Sequence, residues 1–165
     1  MTRHAAKSNS PNRRRPAQRD DLMAKNPIAQ AVARNRVQAD LRALRTRAGI
    51  QAYMGGDAAL LAHECGRLVY VVAHAANLHG LQNTPEARIL AGTANALGDV
   101  VERPGCLDAQ RGAILSGLDA CERLLPRLNT WSLAAGALAL GDLLETRSLH
   151  TGDVRAVLHG GEATC

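Results

Sequence analysis

Large aromatic side chains are scarce in this chain of 165 residues, which contains no Phe, one Trp and two Tyr. Aromatic rings usually contribute the largest buried areas in a protein core. Here Leu and Ala must fill that space, and Ala buries little apolar surface at about 25 cal/mol per Å². We therefore expect a core of modest stability, or one that self-association supplements.

Long apolar stretches are also missing. The most apolar run, residues 68–76, contains His74, so we expect no segment that crosses a membrane. The first residues carry positive charge but lack the apolar stretch that a secretory signal needs. The Cys residues occur singly, without the paired spacing of a zinc finger, and a chain of this size can fold without disulfides. These features predict a soluble, cytoplasmic protein with reduced thiols at Cys65, Cys106, Cys121 and Cys165.

No catalytic motif is present. Gly55-Gly56 lacks the Lys of a phosphate-binding loop, and no Ser lies in a nucleophile elbow. A zinc protease motif starting at His63 would require His at position 67, where this chain has Arg67. We predict a non-enzymatic protein with no cofactor, no catalytic residue and no bound metal.

Two groupings of polar residues remain open as sites. His63, Cys65 and His74 fall within one predicted helix, with the two His residues on one face. Two acidic pairs, one of Asp residues and one of Glu residues, could meet across two helices. Exposed helix carboxylates usually face solvent or form weak ion pairs. The pairs are Asp99 with Asp142 and Glu102 with Glu145.

Charge is distributed unevenly along the chain. Residues 1–48 carry a net charge of +9, residues 49–165 carry −4, and the whole chain carries +5. Such asymmetry indicates a basic segment that meets an anionic surface, which is either nucleic acid or an acidic protein, including the acidic remainder of this chain.

Composition divides the chain into three parts. Residues 1–25 are rich in Ser, Asn, Pro, Gln and Arg and contain few apolar residues. Such a segment buries too little apolar surface to offset the entropy lost on ordering, so we predict a disordered basic arm. Residues 26–161 predict a single helical domain, and residues 162–165 a frayed tail. The fold class is all-α: a bundle of five main helices plus a short C-terminal helix.

Capping signals place the helices. Asn26-Pro27 predicts the first start, and the helix ends at Gly49 or continues to Met54. Asp57 caps the second helix, which Gly80 ends, and Thr84 caps the third, which ends near Arg103. A fourth helix is predicted from about Leu107 to Pro126, and a sixth is capped by Thr151 and stopped by Gly160. The fifth helix is capped by Asn129 or Thr130. Its predicted apolar face consists of Leu133, Ala137, Leu140 and Leu144.

The third and fifth helices share a short pattern. Residues 90–102 match residues 133–145 at a constant offset, and a chance likeness between Ala/Leu-rich helices explains the match better than a solenoid, which needs three or more repeats. The pattern predicts that Gly98 and Gly141 mark close helix crossings.

Arginine dominates the basic segment, and its planar guanidinium suits phosphate. No aromatic residue alternates with these charges, so base stacking has no platform. The first predicted helix places Arg34, Arg42 and Arg45 on one flank of its apolar stripe and Arg36 and Arg47 on the other. The candidate anion-binding residues are Arg3, Lys7, Arg13, Arg14, Arg15, Arg19, Arg34, Arg36, Arg42, Arg45 and Arg47.

We therefore expect a binding protein that contacts an anionic macromolecule, first of all nucleic acid phosphates, through its basic N-terminal third. The alternative is a protein–protein interaction module: a regulator, an inhibitor or a self-assembling homo-oligomer. In that case the arm serves only as a solubilising tail, and the arginines of the first helix pair with the acidic body.

Residues 143–158 resemble the helix-turn-helix motif of DNA-binding proteins. Ser148-Leu149 and Val154 fall where that motif has buried residues, and Thr151 would open its recognition helix. The sequence departs from the motif at Leu144 and Ser148, where the family favours a small residue and Gly.

Overall fold

A computed structural model describes residues 27–54 and 57–159 of the chain. Within these ranges the protein is all-α and contains no strand, as the sequence predicts. The predicted arm, residues 1–25, and tail, residues 162–165, lie outside the described residues. The helices are α1 (Pro27–Met54), α2 (Ala58–Leu78), α3 (Pro85–Glu102), α4 (Leu107–Leu124), α5 (Thr130–Thr146) and α6 (Thr151–Leu158).

Side chains cap three of the helices at the predicted residues. Asp57 Oδ1 accepts from the Leu60 amide at 2.9 Å at the start of α2. Asn129 Oδ1 accepts from the Ser132 amide at 2.8 Å at the start of α5. Thr84 Oγ1 accepts from the Ala87 amide at 3.4 Å at the start of α3. Each bond satisfies an amide that has no partner inside its own helix. These boundaries are local, which is why the sequence predicts them.

Gly80 ends α2 through backbone geometry. Its φ of +68° is accessible to Gly at little cost. The Gly80 amide donates to the Asn77 carbonyl and the Leu81 amide donates to the Ala76 carbonyl, both at 2.9 Å. This pair of bonds is a Schellman motif, and it satisfies two carbonyls at the end of the helix.

One predicted cap is wrong by a residue. His150, not Thr151, is the N-cap of α6, and Thr151 is the first helical residue. The Asp153 carboxylate accepts from the His150 amide at 2.8 Å, and the Asp153 amide donates to the His150 backbone carbonyl at 3.1 Å. His is not among the residues that usually cap a helix, so the sequence favoured the neighbouring Thr.

α2 packs against each of the other five helices, and α3 lies along α4. The core is built from Leu, Val and Ala, as the lack of aromatic residues requires. Cys65 and Cys121 are free thiols buried in the same core. The fully buried large side chains include Leu41, Leu61, Leu90, Leu118, Leu124 and Leu128.

Glycine allows three close helix contacts. A Cβ on Gly98 would overlap Thr151 of α6, as predicted for a close crossing. A Cβ on Gly117 of α4 would overlap Thr93, and one on Gly136 of α5 would lie 2.7 Å from the carbonyl oxygen of Val71.

The prediction for Gly141 is wrong. Nothing lies within 4 Å of the position that its Cβ would take. Gly141 is exposed, and it faces away from the bundle.

The predicted apolar face of α5 is also partly wrong. Leu133 and Leu140 are buried, but Ala137 and Leu144 are exposed. Gly136 is buried against α2 in their place. Because residues 133–141 contain only Leu, Ala and Gly, α5 is apolar around its circumference, and periodicity alone does not select the face that packs.

Candidate anion-binding face

Three of the predicted anion-binding residues have described side chains: Arg34, Arg36 and Arg42, all on α1. Arg45 and Arg47 lie on α1, but their side chains are outside the described set. The remaining predicted residues, Arg3, Lys7, Arg13, Arg14, Arg15 and Arg19, lie outside the described residues altogether.

Arg34 forms an internal bond. Its Nη2 donates to the backbone carbonyl of Leu128 at 3.0 Å, in the segment that leads into α5. Its Nε is buried and has no hydrogen-bond partner among the described atoms. The bond ties the N-terminal half of α1 to the start of α5. Arg34 is partly buried and helps to hold α1 against the start of α5.

Arg36 and Arg42 are exposed. Within the described part of the chain, no carboxylate pairs with Arg36. The buried side of α1 carries Leu41 and Leu44, with Val37 partly buried. The helix thus exposes one arginine on each flank of its buried side, Arg42 on one and Arg36 on the other.

The arginines of the body mostly meet acids of the body. Arg123 and Arg127 approach the Glu86 carboxylate at 3.7 and 3.8 Å. Arg103 lies 3.7 Å from Asp99, and Arg111 pairs with Asp108. Exposed pairs of this kind contribute little stability. Their consequence is electrostatic, because positive charge in the body is locally compensated.

An ion pair with two hydrogen bonds joins the end of α5 to α6. Arg147 donates from Nη1 to Asp153 Oδ2 at 2.9 Å and from Nη2 to Asp153 Oδ1 at 2.5 Å. Burial by itself would raise the pKa of Asp153, but the hydrogen bonds from Arg147 and from the His150 amide lower the pKa overall. No sequence pattern predicted this pair, which depends on how the segment between α5 and α6 folds back.

A cleft of about 280 Å³ lies where α6 meets α2 and α3. Its wall is apolar, with Val69, Leu97 and Leu149 among the lining residues. His63 and Glu102 are exposed residues at the same cleft. The described residues contain no group of three or more His, Cys, Asp or Glu side chains that could hold a metal ion.

His63 and His74, which the sequence leaves open as parts of one possible site, lie in different environments. His63 is exposed, whereas His74 is half-buried beside Tyr70, with ring centroids 6.2 Å apart. Burial lowers the pKa of His74, and its Nδ1 has no hydrogen-bond partner among the described atoms. Burial, with the nearby Cys65, raises the pKa of the Cys121 thiol and keeps it protonated.

The acidic pairs across α3 and α5 do not assemble into a described site. Asp99 accepts from Gln110 Nε2 at 3.0 Å, while Asp142 is exposed. Glu102 and Glu145 are both exposed.

The segment that resembles a helix-turn-helix motif forms internal contacts. Thr151 lies against Gly98, and Asp153 is held by Arg147. α6 is eight residues long and buries Val154 and Leu158. The start of the would-be recognition helix is thus packed against α3 and carries an acidic side chain.

No helix within the described ranges is long and apolar enough to span a membrane. Compared with models of protein families, with curated proteins and with solved structures, the chain gives no match.

Proposed function

We propose that this protein binds nucleic acid phosphates, without sequence preference, through residues 1 to about 48. The observation that carries the proposal is the charge of +9 on residues 1–48 against −4 on the remainder. Lys and Arg side chains that neutralise phosphates release condensed counterions, and this release drives binding.

The ion pairs of the body support this proposal. If the acids of the body neutralised α1, the charge asymmetry would have no external consequence. Four described acids of the body, Glu86, Asp99, Asp108 and Asp153, pair with arginines of the body itself. Arg36 is exposed and has no carboxylate partner in the described part of the chain.

The composition limits the mode of binding. Residues 1–48 contain no aromatic side chain, so stacking on unpaired bases contributes nothing there. Arginine can contact the phosphates of any sequence. Affinity should therefore follow the number of phosphates contacted, and single-stranded and double-stranded DNA should both bind.

Fluorescence anisotropy with a labelled DNA duplex of arbitrary sequence tests the proposal across a salt series. Each phosphate contact should add about 0.9 to the slope of log K against log salt. The double variant R36Q/R42Q should therefore reduce the slope by about 2, and R13Q/R14Q/R15Q by about 3. Deleting residues 1–25 should abolish binding at physiological salt.

The matched control is R88Q/R103Q, which removes the same charge from two exposed positions, one on α3 and one at its C-terminal cap. This variant should keep the wild-type slope, because its arginines lie outside the proposed surface. Equal effects of the two double variants would mean that net charge, and not the position of Arg36 and Arg42 on α1, decides binding. Undiminished affinity after deletion of residues 1–25 would refute the proposal.

A further inference from the structure

The outward face of α5 is an uncovered apolar seam. Trp131 is 42% exposed and Leu138 is 70% exposed, the latter among the highest values of any large apolar side chain described. Ala134 and Gly141 complete its apolar part, Glu145 lies at its C-terminal end, and all three are exposed. The spacings of three and four residues place these five side chains on one side of the helix.

Within residues 27–54 and 57–159, no other element accounts for this exposed surface. α5 already buries Leu133, Gly136 and Leu140 against its neighbours. No described atom lies within 4 Å of the position that a Cβ on Gly141 would take. Gly in a helix is also less stable than Ala by about 1 kcal/mol. A residue without a Cβ is useful where another surface comes close.

We infer that two copies of this protein associate through α5, with the two helices antiparallel. A two-fold axis passing near Gly136 pairs Trp131 of one copy with Gly141 of the other, and Ala134 with Leu138. In each pair a large side chain meets a small one. The indole of Trp131 would lie over the bare backbone at Gly141, and Leu138 would pack over Ala134.

Charge favours the antiparallel arrangement over the parallel one. Arg127 lies in the turn that leads into α5, with an exposed side chain 3.8 Å from Glu86. The exposed acids Asp142 and Glu145 lie at the other end of α5. An antiparallel pair places the acidic end of each helix beside Arg127 and the positive dipole end of its partner. A parallel pair would place like charges together.

The size of the seam sets the strength of the dimer. α5 has 17 residues and is therefore about 25 Å long. A single helix face of that length falls at or below the lower limit of about 1,200 Å² for stable interfaces. The dimer should be reversible, with a dissociation constant in the micromolar range, on the order of 10⁻⁶ to 10⁻⁴ M. This inference is independent of the proposed function.

Sedimentation velocity of the full chain over a concentration series, from about 1 to 500 µM, tests it. Mass should rise toward the dimer, and the emission of Trp131, the one Trp in the chain, should shift to the blue as the dimer forms. L138E should raise the dissociation constant at least about tenfold, because it places a charge in the seam. V101E, at an exposed apolar position on α3, is the matched control and should leave it unchanged.

Charge variants test the orientation. E145R should weaken the dimer severalfold, and R127E/E145R, which exchanges the two charges, should restore it. Unchanged association by E145R would overturn the antiparallel arrangement. A protein that stays monomeric throughout the series, or one that dimerises equally well with L138E, would overturn the inference. If L138E fails to fold by circular dichroism, E145R and its charge exchange still decide the question.

Discussion

Thr93 of α3 and Gly117 of α4 lie in contact where the two helices cross. The buried Thr93 hydroxyl is within hydrogen-bond distance of two carbonyls, that of Ile89 at 2.9 Å and that of Ala113 on α4 at 3.0 Å. A Cβ on Gly117 would overlap both Oγ1 and Cγ2 of Thr93. The Thr93 hydroxyl therefore lies between α3 and α4, and it fits there because Gly117 has no side chain.

The Thr93–Gly117 contact predicts a stability difference between two glycines of α4. Gly117→Ala should lower the free energy of unfolding by about 1–3 kcal/mol, because the added methyl overpacks a rigid crossing. Gly112→Ala is the matched control, since that position is exposed and has nothing within 4 Å of the added Cβ. It should raise stability by up to about 1 kcal/mol through helix propensity. Urea unfolding measures both, and equal effects would contradict the close crossing.

The crossing of α3 with α6 predicts a rescue. Gly98→Ala should destabilise the protein by about 1–2 kcal/mol, because its methyl overlaps Thr151 Cγ2. Thr151→Ser removes that Cγ2, so G98A/T151S should recover most of the loss. Gly92→Ala on the same helix meets nothing within 4 Å and serves as control. Thermal unfolding of the wild type, G98A, T151S and G98A/T151S gives the coupling free energy between the two positions. Purely additive effects would show that the two residues do not meet.

Two arginines of α1 should respond differently to the same change. Arg34→Gln should cost about 1–3 kcal/mol of stability, because it removes a charged donor from the Leu128 carbonyl. Arg36→Gln, at an exposed position, should stay within about 0.5 kcal/mol of wild type. In the DNA-binding assay, Arg36→Gln should reduce the salt slope although it leaves unfolding unchanged. Unchanged stability of Arg34→Gln would contradict the internal role of Arg34.

Asp153 predicts an acid-dependent weakening of the α5–α6 connection. Its pKa is lowered in the folded protein, so it contributes stability at pH values above its ordinary pKa of 3.8, and that stability is lost as the pH falls through the folded value. Asp153→Asn should be less stable than wild type at neutral pH, and the difference should shrink below about pH 4. Melting temperatures from pH 7 to 3 measure it. Asp142→Asn, at an exposed position on α5, is the control, and a constant difference across the range would contradict the prediction.

The helix boundaries that follow from local chemistry were predictable from sequence. Asp57, Thr84 and Asn129 cap helices through an oxygen and an amide three residues apart. Gly80 ends α2 through its own φ angle. Such bonds involve only neighbours in the chain, and each works in much the same way in any fold.

Surfaces were harder to predict than boundaries. Gly98 and Gly141 occupy matching positions in similar sequence segments, yet one lies against α6 and the other faces outward. Arg34 and Arg36 are two residues apart on one helix, and only Arg34 reaches a backbone carbonyl of a distant segment. These differences depend on which helix lies alongside, and that is absent from the local pattern.

The sequence by itself determined the all-α class, the order of the helices and the concentration of positive charge before residue 49, because caps, periodicity and composition act locally or by simple count. Only the tertiary structure decided which side of the apolar stretch of α5, residues 133–141, is buried, and that Arg147 pairs with Asp153. Both depend on the direction in which α5 and α6 fold back onto α2, which long-range packing fixes.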